Sequence, residues 1–136
     1  MFEEIELGDL WYFAHPYTGV DKRAEVANFH LCCIRSAKLI EMGYMIYSPI
    51  AHTHPIHMAW PRFLNEDERE LWIQLDNLVI ARTDFKGIIL APLWPSSAGC
   101  VGERDLFAAV HKPILEYGDI VKLVKKQEST NELRKE

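Results

Sequence analysis

The sequence predicts an α/β domain of the doubly wound, flavodoxin- or Rossmann-like kind, a parallel sheet of four to five strands with helices on both faces. Two observations predict it. Short apolar runs alternate with segments of helical spacing along the chain, and each crossover helix must bury its apolar stripe on the sheet that it connects, which covers both faces. At 136 residues the chain fits a single domain, 1–136, because dividing it would leave neither half enough core. The core is expected over about residues 10–124, with 125–136 as a solvated tail.

Leu10-Trp11-Tyr12-Phe13-Ala14 is a short apolar and aromatic run closed by His15-Pro16-Tyr17-Thr18-Gly19, which reads as a buried strand and a turn. From Asp21, a helix N-cap, the period changes: Val26, Phe29, Cys33, Ala37 and Ile40 recur three and four apart until Gly43 stops the helix. Tyr44 to Ser48 forms a second strand ended by Pro49. The segment from Ile50 to Asn65, rich in proline and histidine and without sustained period, reads as a long loop, the kind that often carries function.

Helical spacing returns from Glu66 to Arg82, with Leu71, Leu75, Leu78 and Val79 on one side and Asp76 at the edge of that stripe. Gly87-Ile88-Ile89-Leu90-Ala91 is the most apolar strand. A third helix is expected from about Val101 to Val110, a fourth strand over Pro113–Tyr117, and a fifth from Ile120 to Val124. In such sheets ligands bind beyond the carboxyl ends of the strands, where connections diverge to opposite faces. The loops His15–Gly19 and Pro92–Gly102 are thereby nominated.

Composition narrows the function classes. Hydrophobic residues make up 49% and charged residues 26%, the balance of an ordinary globule, and a formal charge of -5 argues against a phosphate-backbone binder, so no nucleic acid polymer is expected as a partner. Three cysteines (Cys32, Cys33, Cys100) make no disulfide framework and suit a reducing interior. The acidic start lacks the features of a signal peptide, and no apolar run approaches the roughly 20 residues that span a bilayer, so a cytoplasmic protein without a membrane partner is the expectation.

Glu103 is the foremost candidate for chemistry, a carboxylate in the first turn of a helix that follows a buried strand. Complementing the helix dipole is the plain alternative. Its neighbours Ser96, Ser97, Gly99 and Gly102 offer hydroxyls and backbone N–H groups that a small anion could reach, although an ordinary turn with a serine N-cap would read the same. Asp76 lies in an apolar stretch, where a carboxylate is expensive to bury without a partner or a task, against a solvated edge position. His52, His54 and His57 have an H-x-H-x-x-H spacing but no evident carboxylate or cysteine partner, so no metal is expected and they line a pocket or occupy a polar loop. His15 and Pro16 stand immediately beyond the first strand. Tyr12 and Tyr17 bracket the first loop, and either hydroxyl could orient a carboxylate; a core aromatic with a satisfied hydroxyl is the alternative for each.

Taken together, Tyr12-Phe13-Ala14-His15-Pro16-Tyr17, Gly43-Tyr44, Ser48-Pro49-Ile50-Ala51-His52-Thr53-His54-Pro55-Ile56, Trp72 with Leu75-Asp76, and Ser97-x-Gly99-x-x-x-Glu103 resemble the superfamily of nucleoside 2-deoxyribosyltransferases and nucleotide N-glycosidases. They resemble more closely its branch known as DUF1937, from about Trp11 to Tyr117. The resemblance implies that Glu103 is a nucleophile attacking the anomeric carbon of a nucleoside. It also implies that Tyr12 holds that carboxylate and that Asp76 helps protonate the departing base, without a cofactor. The transferases carry an aspartate six residues before the nucleophile, where this chain has Ser97. A serine favours a 5′-phosphate that an aspartate would repel, so the expectation is hydrolysis of a nucleoside 5′-monophosphate. Base exchange between nucleosides and a non-catalytic nucleotide-binding module are the alternatives. His15-Pro16 replaces the more usual Gly-Pro and narrows the space near the ligand, with Pro16, Tyr17, His52 and His54 also expected against it. Relatives assemble as dimers or larger units, so the resemblance implies a homo-oligomer.

Overall fold

The computed structural model describes residues 8–60 and 66–135. The start Met1–Glu6 and the last part of the segment read as a loop, 61–65, lie outside the described residues. Four strands, β1 (Leu10–Ala14), β2 (Met45–Tyr47), β3 (Gly87–Leu90) and β4 (Ile114–Glu116), form one sheet in the order β2-β1-β3-β4, every pair parallel. Five helices surround it: α1 (Lys22–Glu41), α2 (Pro49–Ala59), α3 (Glu66–Arg82), α4 (Ala98–Ala109) and α5 (Tyr117–Lys135). This is the doubly wound α/β architecture that the alternation predicts.

Both faces of the central strands are buried. Tyr12, Ala14, Ile88 and Leu90 pack with Cys100 and Phe107 of α4, with Val79 and Ile80 of α3 against them. Phe13, Ile89 and Ala91 pack on the other face with Cys32 and Leu39 of α1, Ile50 of α2 and Ile120 of α5. The chain leaves β1 for β2 on one side and β3 for β4 on the other, so the connections diverge between the carboxyl ends of β1 and β3. That divergence opens the crevice where such sheets bind ligands. β3 comes so close to its neighbours that a Cβ on Gly87 would lie 2.2 Å from the Pro113 carbonyl oxygen and 2.8 Å from the Trp11 ring.

Local signals account for most of the boundaries. The Asp21 side chain accepts from Ala24 N–H and caps α1, while Gly43, at φ 96°, ends it with Tyr44 N–H bonded to Leu39 O and Gly43 N–H to Ile40 O, a Schellman motif. The inward face of α1 is Cys32, Ser36 and Leu39, one residue away from the expected stripe; Ile40 is exposed.

Four expectations need correction. The segment from Ile50 begins as a helix, because Ser48 caps it through Ala51 N–H and Pro49 occupies N1, where its missing N–H costs nothing. The expected fifth strand is the start of α5: Ile120 and Val124, four apart, face the core while Leu123 points to water. From that start α5 continues helical to Lys135, and from Lys125 to Arg134 it is exposed, as expected of the tail. On α3, Leu71 and Leu78 are exposed, and the inward stripe is Trp72, Leu75, Asp76, Val79 and Ile80. Asp76 therefore sits within that stripe rather than at its edge. Fourth, α4 starts at Ala98, so Glu103 lies in its second turn. Among the described residues no helix is long and apolar enough to cross a membrane.

Candidate active site

The alternation of β1 decides where its first tyrosine points. Tyr12 faces the α3–α4 side, fully buried, its ring edge-on to Phe85 at 5.4 Å and near Phe107 and Tyr47. From there the Tyr12 hydroxyl donates to Glu103 Oε2. Burial, followed by the charges of Glu103 and Asp76, pushes the Tyr12 hydroxyl far above its usual range, so it is a donor at any physiological pH.

Glu103 reaches this point from the second turn of α4, beyond the first-turn N–H groups through which a helix dipole acts most strongly. Its carboxyl group lies deep, and burial raises its pKa to about 8; Asp76 adds to the rise and the Tyr12 hydrogen bond opposes it. Asp76 comes from the inward stripe of α3, with burial raising it to about 6. Its Oδ1 atom is buried without a hydrogen-bond partner. The three residues expected to carry the chemistry, separated widely in sequence, thus meet in one electrostatically coupled group, and burial, followed by Asp76, also raises the hydroxyl of Tyr47.

Because Glu103 is the more basic of two interacting carboxyls, the pair holds a single proton between about pH 6 and pH 8. Such a pair can supply one carboxylate and one carboxylic acid together, the requirement of chemistry in which a nucleophile attacks as a leaving group is protonated.

The start of α4 lies on the N-terminal side of Glu103. Ser97 caps the helix, its Oγ accepting from Cys100 N–H at 3.3 Å, whereas the Ser96 hydroxyl donates to Leu93 O on the exposed side. Space is open at Gly102, where a Cβ would meet nothing within 4 Å, and at Gly99 only Ser97 Oγ comes that near. Leu93 itself adopts the left-handed conformation, φ 66°, with its side chain 77% exposed. Beside it, Trp94 Nε1–H donates to Glu116, and the Arg104 guanidinium lies 5.7 Å from the Trp94 ring centre.

The first loop is built differently. His15 is buried, its Nδ1–H donating to Pro16 O and its Nε2 accepting from Arg35. Burial lowers its pKa, with Arg35 adding to the effect, so the ring is neutral and braces Arg35. Pro16 is half-buried beside it. Tyr17 points to α2, where its hydroxyl lies 2.8 Å from both His54 Nδ1 and His57 Nδ1. A single phenolic proton can serve only one neutral ring as a donor, so the two histidines take opposite tautomers. His54 is buried and stacked on Phe29 at 4.1 Å, and burial lowers its pKa, followed by the neighbouring His57 and His30. His52 is exposed, 6.5 Å from Tyr47 between ring centres.

The expected ligand-binding residues therefore divide. Ser96, Ser97 and Gly99 stand at the start of the helix that carries Glu103, while Tyr17 and His54 form a separate knot of aromatic and imidazole rings. Two aromatic residues join the halves: Trp72, one of the residues that carry the resemblance, whose ring is 6.4 Å from His57, and Trp60, which has no sequence signal of its own, edge-on to Trp72 at 6.1 Å. The buried Cys100 thiol, pushed up to about 12, and the raised Cys32 thiol stay protonated and supply no nucleophile.

No curated protein matches the chain. The family model described as "Domain of unknown function (DUF1937)" matches residues 10–119, which take in all four strands and the whole Tyr12–Asp76–Glu103 group, and the chain belongs to that family.

Proposed function

We propose that this protein hydrolyses the N-glycosidic bond of a nucleoside 5′-monophosphate. The observation that carries the reading is the buried Glu103 carboxyl held by the Tyr12 hydroxyl and coupled to a second buried acid, Asp76. In the reactive arrangement the shared proton sits on Asp76 and Glu103 is ionised. The Glu103 carboxylate attacks the anomeric carbon as the carbon–nitrogen bond breaks, and the Asp76 proton passes to the departing base. Asp76, now ionised, takes a proton from the water that resolves the glycosyl ester, which restores both groups.

Positive charge develops on the sugar in the transition state, so an ionised Glu103 is favoured there more than in the empty site. Tyr12 orients the carboxylate for attack. The open start of α4 at Gly99, where the Ser97 side chain takes up the Cys100 N–H alone, suits the 5′-phosphate.

The test is a panel of ribo- and deoxyribonucleosides and their 5′-monophosphates, followed for base release with wild-type and Glu103→Ala protein. Release from monophosphates in water, absent in Glu103→Ala, is the expected result. Release only when an acceptor base is added would assign a transferase, and binding without release from any member would assign a nucleotide-binding module.

A further inference from the structure

We infer that the indole N–H of Trp60 selects the departing base by donating to a carbonyl oxygen on it, an inference that rests on the glycosidic reading above. Among the described residues, two buried side-chain polar atoms have no hydrogen-bond partner, Trp60 Nε1 and Asp76 Oδ1. A buried polar group left unpaired is costly, and native proteins rarely leave one without a role. These two belong to one ridge. Trp60 closes the C-terminus of α2, and its ring meets the Trp72 ring edge-on at 6.1 Å and 64°. Trp72 and Asp76 are four residues apart on the inward face of α3, one turn above the other. His57 braces Trp72 at 6.4 Å.

Along this ridge a donor, an aromatic surface and a carboxyl group follow one another, and the carboxyl end is the one coupled to Glu103 and Tyr12. A planar heterocycle whose glycosidic nitrogen is served by Asp76 presents another of its edges to Trp60. An indole N–H is a donor only. It pairs with an acceptor, a carbonyl oxygen better than a ring nitrogen, and is left unpaired by an amino group or a bare C–H, and a site built around such a group rejects the analogue that cannot meet it. With a carbonyl as its partner, the substrate class is nucleotides of oxo-bearing bases.

Hypoxanthine against purine, and uracil against pyrimidine, are probes that differ in their oxo groups. Titration of wild-type protein by calorimetry should show at least one oxo base binding about ten-fold more tightly than its parent. In ¹⁵N-labelled protein, one of the four tryptophan indole resonances should move with that base and stay in place with the parent. That resonance is identified by its loss in Trp60→Phe, which keeps an aromatic ring against Trp72 and removes the donor. In Trp60→Phe the preference should fall to within about two-fold. A wild-type protein with no oxo preference, a Trp60 resonance indifferent to the oxo base, or a preference that survives in Trp60→Phe overturns the inference. The wild-type titration decides even if the variant does not fold. Base release from the matching 5′-monophosphates separates the two readings. An oxo preference carried by Trp60 without Glu103-dependent release removes the glycosidic reading and leaves the pocket assignment standing; release without the preference does the reverse.

Discussion

Tyr12 in the middle of β1 and Tyr17 in the loop after it stand five residues apart, yet their hydroxyls meet opposite partners. Tyr12 donates to a carboxyl in a region of two coupled acids, whereas Tyr17 sits between two imidazoles. Burial raises both phenols, Tyr17 to about 12, so neither loses its proton near neutrality. The difference lies in what each partner can do. A carboxyl pair with one proton is poised to exchange it, while Tyr17 joins two turns of α2 to the first loop, and the acid that acts on it, Glu25 of α1, comes second to burial in raising it. On the proposed function one tyrosine organises a reaction; the other organises a helix.

The comparison breaks most severely at Glu103. Glu103→Gln should lower base release by about 10³-fold or more, measured in single-turnover assays. The same variant should gain relative stability with rising pH. A folded-state pKa of about 8, above the ordinary 4.5, means that stability is fully present below about pH 4.5 and is lost as pH rises through 8. Glutamine escapes that loss, so the melting temperature of Glu103→Gln at pH 9 should exceed that of the wild type by about 3 °C or more, the gap closing towards pH 5.

Asp76→Asn should cost about 10²-fold in rate and change the shape of the pH profile. Wild-type activity should be bell-shaped, with limbs near pH 6 and 8 that belong to the pair. With asparagine the alkaline fall disappears, and activity rises to a plateau as Glu103 ionises. A bell that persists in Asp76→Asn would remove this residue from the proton transfer. Tyr12→Phe should cost about 10-fold and move the Glu103 limb to higher pH, because the lost hydrogen bond was the influence holding that pKa down.

Tyr17→Phe sharpens the contrast. Two ring nitrogens, one on the buried His54, lose their partner, so urea denaturation should show a loss of about 1–2 kcal/mol while turnover stays within about three-fold of wild type. A fall in turnover matching that of Tyr12→Phe would show the two regions to be one.

The fold class and the bounds of α1 and α3 were legible in the sequence because their signals are local. Asp21 and Gly43 bracket α1 as N-cap and left-handed stop, and α3 runs from Glu66 to Arg82 as its spacing predicts. The parts that were not legible share a physical cause. Leucines at 71 and 78 outline a stripe beside the true one, and only packing against the sheet decides which turns inward, so Asp76 read as an edge residue. In α2 the face that packs contains His54, whose burial depends on Phe29 and Tyr17, and no pattern of apolar residues reports it. The Trp60–Trp72 contact joins two helices through side chains alone, so neither residue announces it.

Leu93 has a consequence for engineering. A leucine in the left-handed region carries a backbone cost of about 1–2 kcal/mol that glycine avoids, and its exposed side chain returns little through packing. Leu93→Gly should therefore leave the protein more stable by about 0.5–1 kcal/mol in denaturant melts, after the added flexibility of the unfolded chain is counted. Thermal robustness is thus held in reserve at the rim of the crevice, where a single substitution can release it without disturbing the acids below.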